Sequence, residues 1–168
     1  MRLLVQRVTH ARVEVDGVVT GQINQGLLVL VGFGKADGPD LPSTRVWRTL
    51  CDKILDLRVF PALAAGENSG KLDASLRDLA LAGHPEQAGL LLVSQFTLYA
   101  DLRRGRRPSF SDAAAPDLAR NLYDRLVADL GAASPGPFGT GTFGAEMNLT
   151  FTNWGPVTLL LDSADFAA

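Results

Sequence analysis

The sequence predicts a single α+β domain spanning residues 1–168: a curled, largely antiparallel, barrel-like β-sheet carrying two main helices. Three observations lead there. Apolar runs of strand length recur along the chain, most of them alternating with polar residues. A strong two-residue turn, Asp16-Gly17, joins two of them as a hairpin. Two longer stretches, 43–57 and 113–131, place apolar residues at helical spacing. With 168 residues, 46% hydrophobic and 20% charged, the chain can bury one respectable core.

Taken in order, Leu3, Val5 and Val8 mark a first strand, and Ala11, Val13 and Val15 its return. Residues 18–23 form the hairpin partner, and the continuous apolar run 27–33 reads as a central strand. Val46, Trp47, Leu50, Cys51, Ile54, Leu55 and Leu57 make one amphipathic helix, with Cys51 on its apolar stripe as a packing residue. Arg58-Val59-Phe60 is a short strand stopped by Pro61, and 62–70 a loop of small residues. Leu72, Leu76, Leu79 and Leu81 cover the core without a clear period. The second helix runs from 113 to 131, with Pro116 in its first turn and Gly131 at its end. A Gly- and Pro-rich connector occupies 132–141. Residues 147–152 form a half-buried strand, Asn153-Trp154-Gly155-Pro156 turns the chain, and 157–161 is the last strand.

The net charge of −2 excludes a generally basic nucleic-acid binder, so any RNA contact must come from a local patch, and no DNA partner is expected. One such patch exists. Arg103, Arg104, Arg106 and Arg107 stand within five residues, in a loop broken by Gly105 and Pro108. They read either as solvated surface or as forks for phosphate. A lone cysteine and no apolar leader fit the cytosol, and no apolar run reaches the ~20 residues a bilayer requires, so no membrane is expected.

The informative stretch is 90–99. Four aliphatic residues, Leu90 to Val93, read as a strand buried on both faces, but Ser94, Gln95 and Thr97 then interrupt it around Phe96. On a continuing strand Ser94 and Phe96 would face one way, Gln95 and Thr97 the other. Such polar groups need partners, either neighbouring backbone or a ligand. Two apparent motifs fail. Residues 139–144 spell a dinucleotide fingerprint, but they follow a helix and precede a strand, the wrong context. His10 and His84, the two histidines, lack metal-pair spacing, and a Ser-His-Asp triad is not offered, so no metal or cofactor is expected.

Ser94-Gln95-Phe96-Thr97-Leu98 together with Asn153-Trp154-Gly155-Pro156-Val157-Thr158 resembles the two signature motifs of the D-aminoacyl-tRNA deacylases. The likeness runs nearly end to end, through residues 2–8, 26–30, 103–110, Phe143-Gly144-Ala145 and Leu161-Asp162-Ser163. It implies hydrolysis of the ester between a D-amino acid and tRNA, glycyl-tRNA included, in an obligate homodimer that binds the acceptor end of the tRNA. It also implies catalytic roles at Ser94, Gln95, Phe96 and Thr97, with the neighbouring ribose hydroxyl assisting. A threonine nucleophile at Thr97 is the alternative, and a weak one without a visible base. In this family the pair matching Gly155-Pro156 carries a cis peptide and enters the partner's pocket to reject L residues. The tRNA phosphates would fall to Arg103, Arg104, Arg106 and Arg107. Trp154 and Leu72-Asp73 depart from the family's pattern, which puts the rim near Gly155 and the segment around residue 72 in doubt. A tRNA-binding dimer without hydrolysis is the competing reading. A deacylase selecting glycine or small L residues is disfavoured by Phe96 and Val157.

Overall fold

The computed structural model describes residues 1–62, 72–103 and 105–166. In chain order the elements are β1 (Arg2–Val15), β2 (Val18–Ile23), β3 (Gly26–Gly32), α1 (Arg45–Asp56), β4 (Phe60–Pro61) and β5 (Leu72–Ala74). There follow α2 (Leu76–Leu81), β6 (Gly89–Ser94), α3 (Pro116–Ala133), β7 (Phe138–Thr140) and β8 (Asn148–Asp162). The main sheet has six strands in the order β2-β1-β3-β6-β7, with β8 on the far side of β1.

β1 is antiparallel to β2, β3 and β8, whereas β3-β6 and β6-β7 are parallel. The sheet is therefore largely antiparallel, as expected, with parallel pairs at β3-β6 and β6-β7. Parallel pairing needs a long crossover, and the segment carrying α1 and α2 supplies it between β3 and β6. The sheet curls until β7 approaches β2. A Cβ on Gly21 would collide with the Thr140 backbone, and one on Gly139 would lie 3.2 Å from the Gln22 nitrogen. Glycine at both seams lets the barrel nearly close.

Burial sorts residues to two sides of the sheet. Leu3, Val5, Leu27, Val29, Val31, Leu90 and Leu92 share a core with Trp47, Leu50 and Ile54 of α1 and Leu122, Leu126 and Leu130 of α3. Val8, Ala11, Val13, Ile23, Leu28, Leu91 and Val93 fill the inside of the barrel. Burying each such side chain contributes about 1.5–3 kcal/mol. Thr44 caps α1 by accepting from the Trp47 amide, and the Trp47 indole donates to Asp129 of α3 at 2.8 Å. Tyr123 of α3 donates its hydroxyl to the Leu92 carbonyl of β6 at 2.9 Å.

Several sequence expectations are corrected. The first strand and its return are one strand, because shifts in the pairing of β1 with β8 around residues 6–10 re-phase its alternation and expose Thr9 and His10. Likewise Asn153 to Pro156 do not turn the chain; they are a bulged part of β8. A third, short helix, α2, joins the two expected ones, held by a capping box between Ser75 and Asp78. Its six residues are too few to display a period. Gly131 does not end α3, which runs on to Ala133, and the connector 132–141 contains β7. The small-residue loop 62–70 lies almost wholly outside the described residues.

Tyr123→Phe should lower stability by about 0.5–1.5 kcal/mol in urea denaturation, since one buried bond is lost. The loss stays in that range because Leu92 keeps a second donor, the Gly141 amide at 2.8 Å.

Candidate functional site

β6 ends where its cover ends. Leu90 to Val93 are buried, Ser94 is half-buried, and the Gln95 amide makes one more bond, to the Val31 carbonyl at 2.6 Å. The chain then leaves the sheet as a 3-10 turn over Phe96–Tyr99. The strand alternation expected for Ser94 to Thr97 therefore stops at Gln95. By position, the amides of Phe96 and Thr97 open this turn and have no acceptor within it.

The turn borders a cleft of about 470 Å³. Val31, Gly32 and Phe33 at the end of β3, together with Ser94, Gln95 and Phe96, form one side. Phe110, Ala113, Ala114, Pro116 and Ala119 lead into α3 on another, and Phe143, Gly144, Ala145 and Met147 close the third. The lining is mostly apolar, with a few polar groups at one end, as small-molecule sites tend to be. Phe96 is 57% exposed, and its ring meets Phe110 edge-on at 4.9 Å. Gln95 donates its carboxamide N–H to the Thr97 hydroxyl at 2.5 Å. Thr97 itself is outside the lining. Among the described residues no imidazole or carboxylate bonds to the Thr97 hydroxyl. His84 precedes β6, and Ser94 ends it. No group of three or more His, Cys, Asp or Glu residues gathers to hold a metal ion among the described residues. Burial, then Asp129 and Asp52, push the Cys51 thiol up to about 12, which keeps it protonated.

A second, shallower groove of about 520 Å³ runs past Arg2, Tyr99, Asp101, Arg103 and Asp112. Its charges are already paired. Arg2 bonds Asp162 at 2.8 Å, Lys35 bonds Asp112 at 2.5 Å, and Arg103 grips both oxygens of Asp101 at 2.8 and 2.7 Å. The Arg103 guanidinium holds the Asp101 carboxyl well below the usual carboxylate range. Of the four loop arginines, Arg103 is thus occupied, and Arg106 and Arg107 are exposed with no ion-pair partner among the described residues. Arg104 lies outside the described residues.

The structure does not bring Gly155 and Pro156 to this cleft. They sit on β8, exposed, joined by a cis peptide. Val8 pairs with Asn153 and Gln6 with Thr158, so residues 154–157 of β8 bulge outward opposite Arg7 alone. Asn153 closes the base of the bulge: its side chain accepts from the Val157 amide at 2.9 Å and donates to the Thr158 hydroxyl at 2.8 Å.

No local pattern in the sequence singles out Arg7. It is only 6% exposed. It donates to the Trp154 carbonyl at 2.9 Å and to the Val59 carbonyl, and its guanidinium stacks 4.3 Å over the Trp154 ring. No carboxylate pairs with it among the described residues, and burial lowers its pKa. Trp154, which departs from the expected pattern, is therefore the platform for a buried cation. Only a Trp154 partner 147 residues away reveals this, and no local signal does.

The model of the family described as D-Tyr-tRNA(Tyr) deacylase matches residues 4–162. A D-aminoacyl-tRNA deacylase of Nitratidesulfovibrio vulgaris is 55% identical over 166 residues, covering 98% of this chain and 94% of that protein. One of Solidesulfovibrio magneticus is 54% identical, covering 98% and 97%. Among solved structures, a c-Myc DNA Unwinding Element Binding Protein superposes with a TM-score of 0.79 at 32% identity, covering 96% of this chain and 98% of that one. A probable eukaryotic D-amino acid tRNA deacylase, 18% identical, shares the fold with a TM-score of 0.75, covering 95% and 97%.

Arg7→Met keeps most of the volume but leaves two carbonyls without their donor. A stability loss of about 2–4 kcal/mol is expected in chemical denaturation. Faster hydrogen exchange at the Val157 amide should accompany it as the bulge loosens.

Proposed function

The chain belongs to the D-Tyr-tRNA(Tyr) deacylase family and is a D-aminoacyl-tRNA deacylase, a hydrolase of the ester joining amino acid to tRNA; from that premise we propose how its residues divide the work. The carrying observation is the meeting of Ser94, Gln95 and Phe96 at the polar end of an apolar cleft. The esterified ribose sits at that end, and the terminal adenine packs against Phe96 and Phe110. Water adds to the ester carbonyl, and the Phe96 and Thr97 amides receive the developing oxyanion. The bond from the carbonyl carbon to the ribose oxygen then breaks. That oxygen takes its proton by way of the neighbouring 2′-hydroxyl, giving free amino acid and tRNA. Gln95 orients the ester. Thr97 is a partner of Gln95 rather than a nucleophile, in keeping with a hydroxyl that no base contacts among the described residues.

Handedness is judged by Gly155 and Pro156 of a second copy in a twofold dimer. Supporting this are the exposed bulge, the exposed Leu159 and Leu160 that continue from it on β8, and the open face of Phe96. Main chain presented across the cleft would strike a side chain in the L position and pass any D side chain. Achiral glycine would pass as well, so glycyl-tRNA is a proposed second substrate. Arg106 and Arg107 meet phosphates of the acceptor strand, and Arg103 contributes less because Asp101 holds it. Acting on charged tRNA, the protein is assigned to the cytosol.

Pure protein given matched D- and L-tyrosyl-tRNA should release only the D-amino acid. Equal release from both, or none from either, overturns the reading. Thr97→Ala should retain appreciable turnover. Gly155→Ala should lose discrimination or activity, because φ there is +127° and a Cβ would lie 2.6 Å from an Arg7 nitrogen and 3.0 Å from Val157. Replacing Arg106 and Arg107 together by alanine should weaken tRNA binding and flatten its salt slope by about 1–2. An unchanged slope returns that loop to plain surface.

A further inference from the structure

We propose that Arg120, on the α3 side of the cleft, is the subsite for the 5′-phosphate of the terminal nucleotide; this rests on the cleft assignment above. Arg120 was not singled out by any motif. It is exposed, and its guanidinium lies 4.7 Å over the ring of Phe143, a residue that lines the cleft. Its neighbours Pro116, Ala119 and Gly144 line the cleft too. A Cβ on Gly144 would come within 3.6 Å of an Arg120 nitrogen, so the guanidinium reaches the cleft wall itself.

The charge is unspent. Asp117 and Asp124 flank Arg120 on the same helix, yet neither pairs with it among the described residues. By contrast Arg2, Arg58, Arg77, Arg103 and Arg125 each hold a carboxylate. A guanidinium held over an aromatic face gives none of its N–H donors to a carboxylate, so they stay open to an anion. A planar guanidinium fork beside an apolar cleft suits a phosphate better than a flexible ammonium would. If the cleft takes the terminal nucleoside with its ester at Gln95 and Phe96, the one anionic group attached to that nucleoside is its 5′-phosphate. Arg120 does not itself line the cleft but sits against two residues that do, Phe143 and Gly144, and has no ion-pair partner among the described residues.

Two small esters test this: D-tyrosyl-adenosine, and the same compound carrying a 5′-phosphate. The readout is the ratio of kcat/KM for the phosphorylated over the unphosphorylated ester. For the wild type we expect a ratio of about ten, carried mainly in KM. In Arg120→Gln it should fall towards one, and Arg120→Lys should recover part of it. Raising the salt concentration should lower the wild-type ratio and leave that of Arg120→Gln flat. A wild-type ratio near one, or an equal ratio in Arg120→Gln, overturns the proposal while leaving the cleft assignment standing. Hydrolysis of neither ester by the wild type overturns the cleft assignment and the phosphate subsite together. A role for Arg120 in folding alone would move both esters equally and leave the ratio untouched, which also overturns it.

Discussion

Burial of β6 on both faces is the constraint from which the rest of the molecule follows. Leu90 and Leu92 face the helices, while Leu91 and Val93 fill the barrel, so this strand belongs to both cores at once. Its parallel partners β3 and β7 satisfy its backbone on both edges. A strand held this way cannot shift register by one residue without exchanging one core for the other. The point at which it leaves the sheet is therefore set firmly. That point is Ser94-Gln95, and the cleft opens there.

Under the proposed reading, rigidity at this end stands in for a strong base, of which none bonds to the Thr97 hydroxyl among the described residues. The Cys51 thiol is kept protonated by burial. What the protein does offer is position: amides at the start of a turn, a carboxamide tied to a hydroxyl, and two aromatic rings set edge to face. Positioned dipoles lower a barrier only if they need no rearrangement when charge develops. A turn anchored to a doubly buried strand meets that condition.

The second motif is built by different physics. Its bulge on β8 is held from beneath by a buried arginine and closed at the base by an asparagine. Burying a cation without a carboxylate is costly, and here two carbonyls and an indole face share the compensation. The result is a stiff, exposed knuckle. It stands apart from the cleft of its own chain, with the exposed Leu159 and Leu160 beside it.

By itself the sequence determined the class of fold, the two long helices, the hairpin at Asp16-Gly17 and the doubly buried strand. Each is a local pattern, written in residue type and spacing over a few turns or strand positions. It also drew attention to Ser94, Gln95, Phe96 and Thr97, because polar residues at the end of an apolar strand are visible without coordinates, although only the resemblance reads them as a site. Tertiary structure alone decided the rest. Thr9 and His10 looked like a chain reversal until pairing with β8 showed a re-phased strand, and residues 153–156 looked like a turn until Arg7 was found supporting a bulge. Arg103 and Arg106 are alike in sequence, yet one is spent on Asp101 and the other is not. Arg7 and Arg120 acquired meaning only from Trp154 and Phe143, partners remote in the chain. Spacing records what a residue does to its neighbours along the backbone; the energy of a cation depends on what surrounds it in space, and that is known only once the chain has folded.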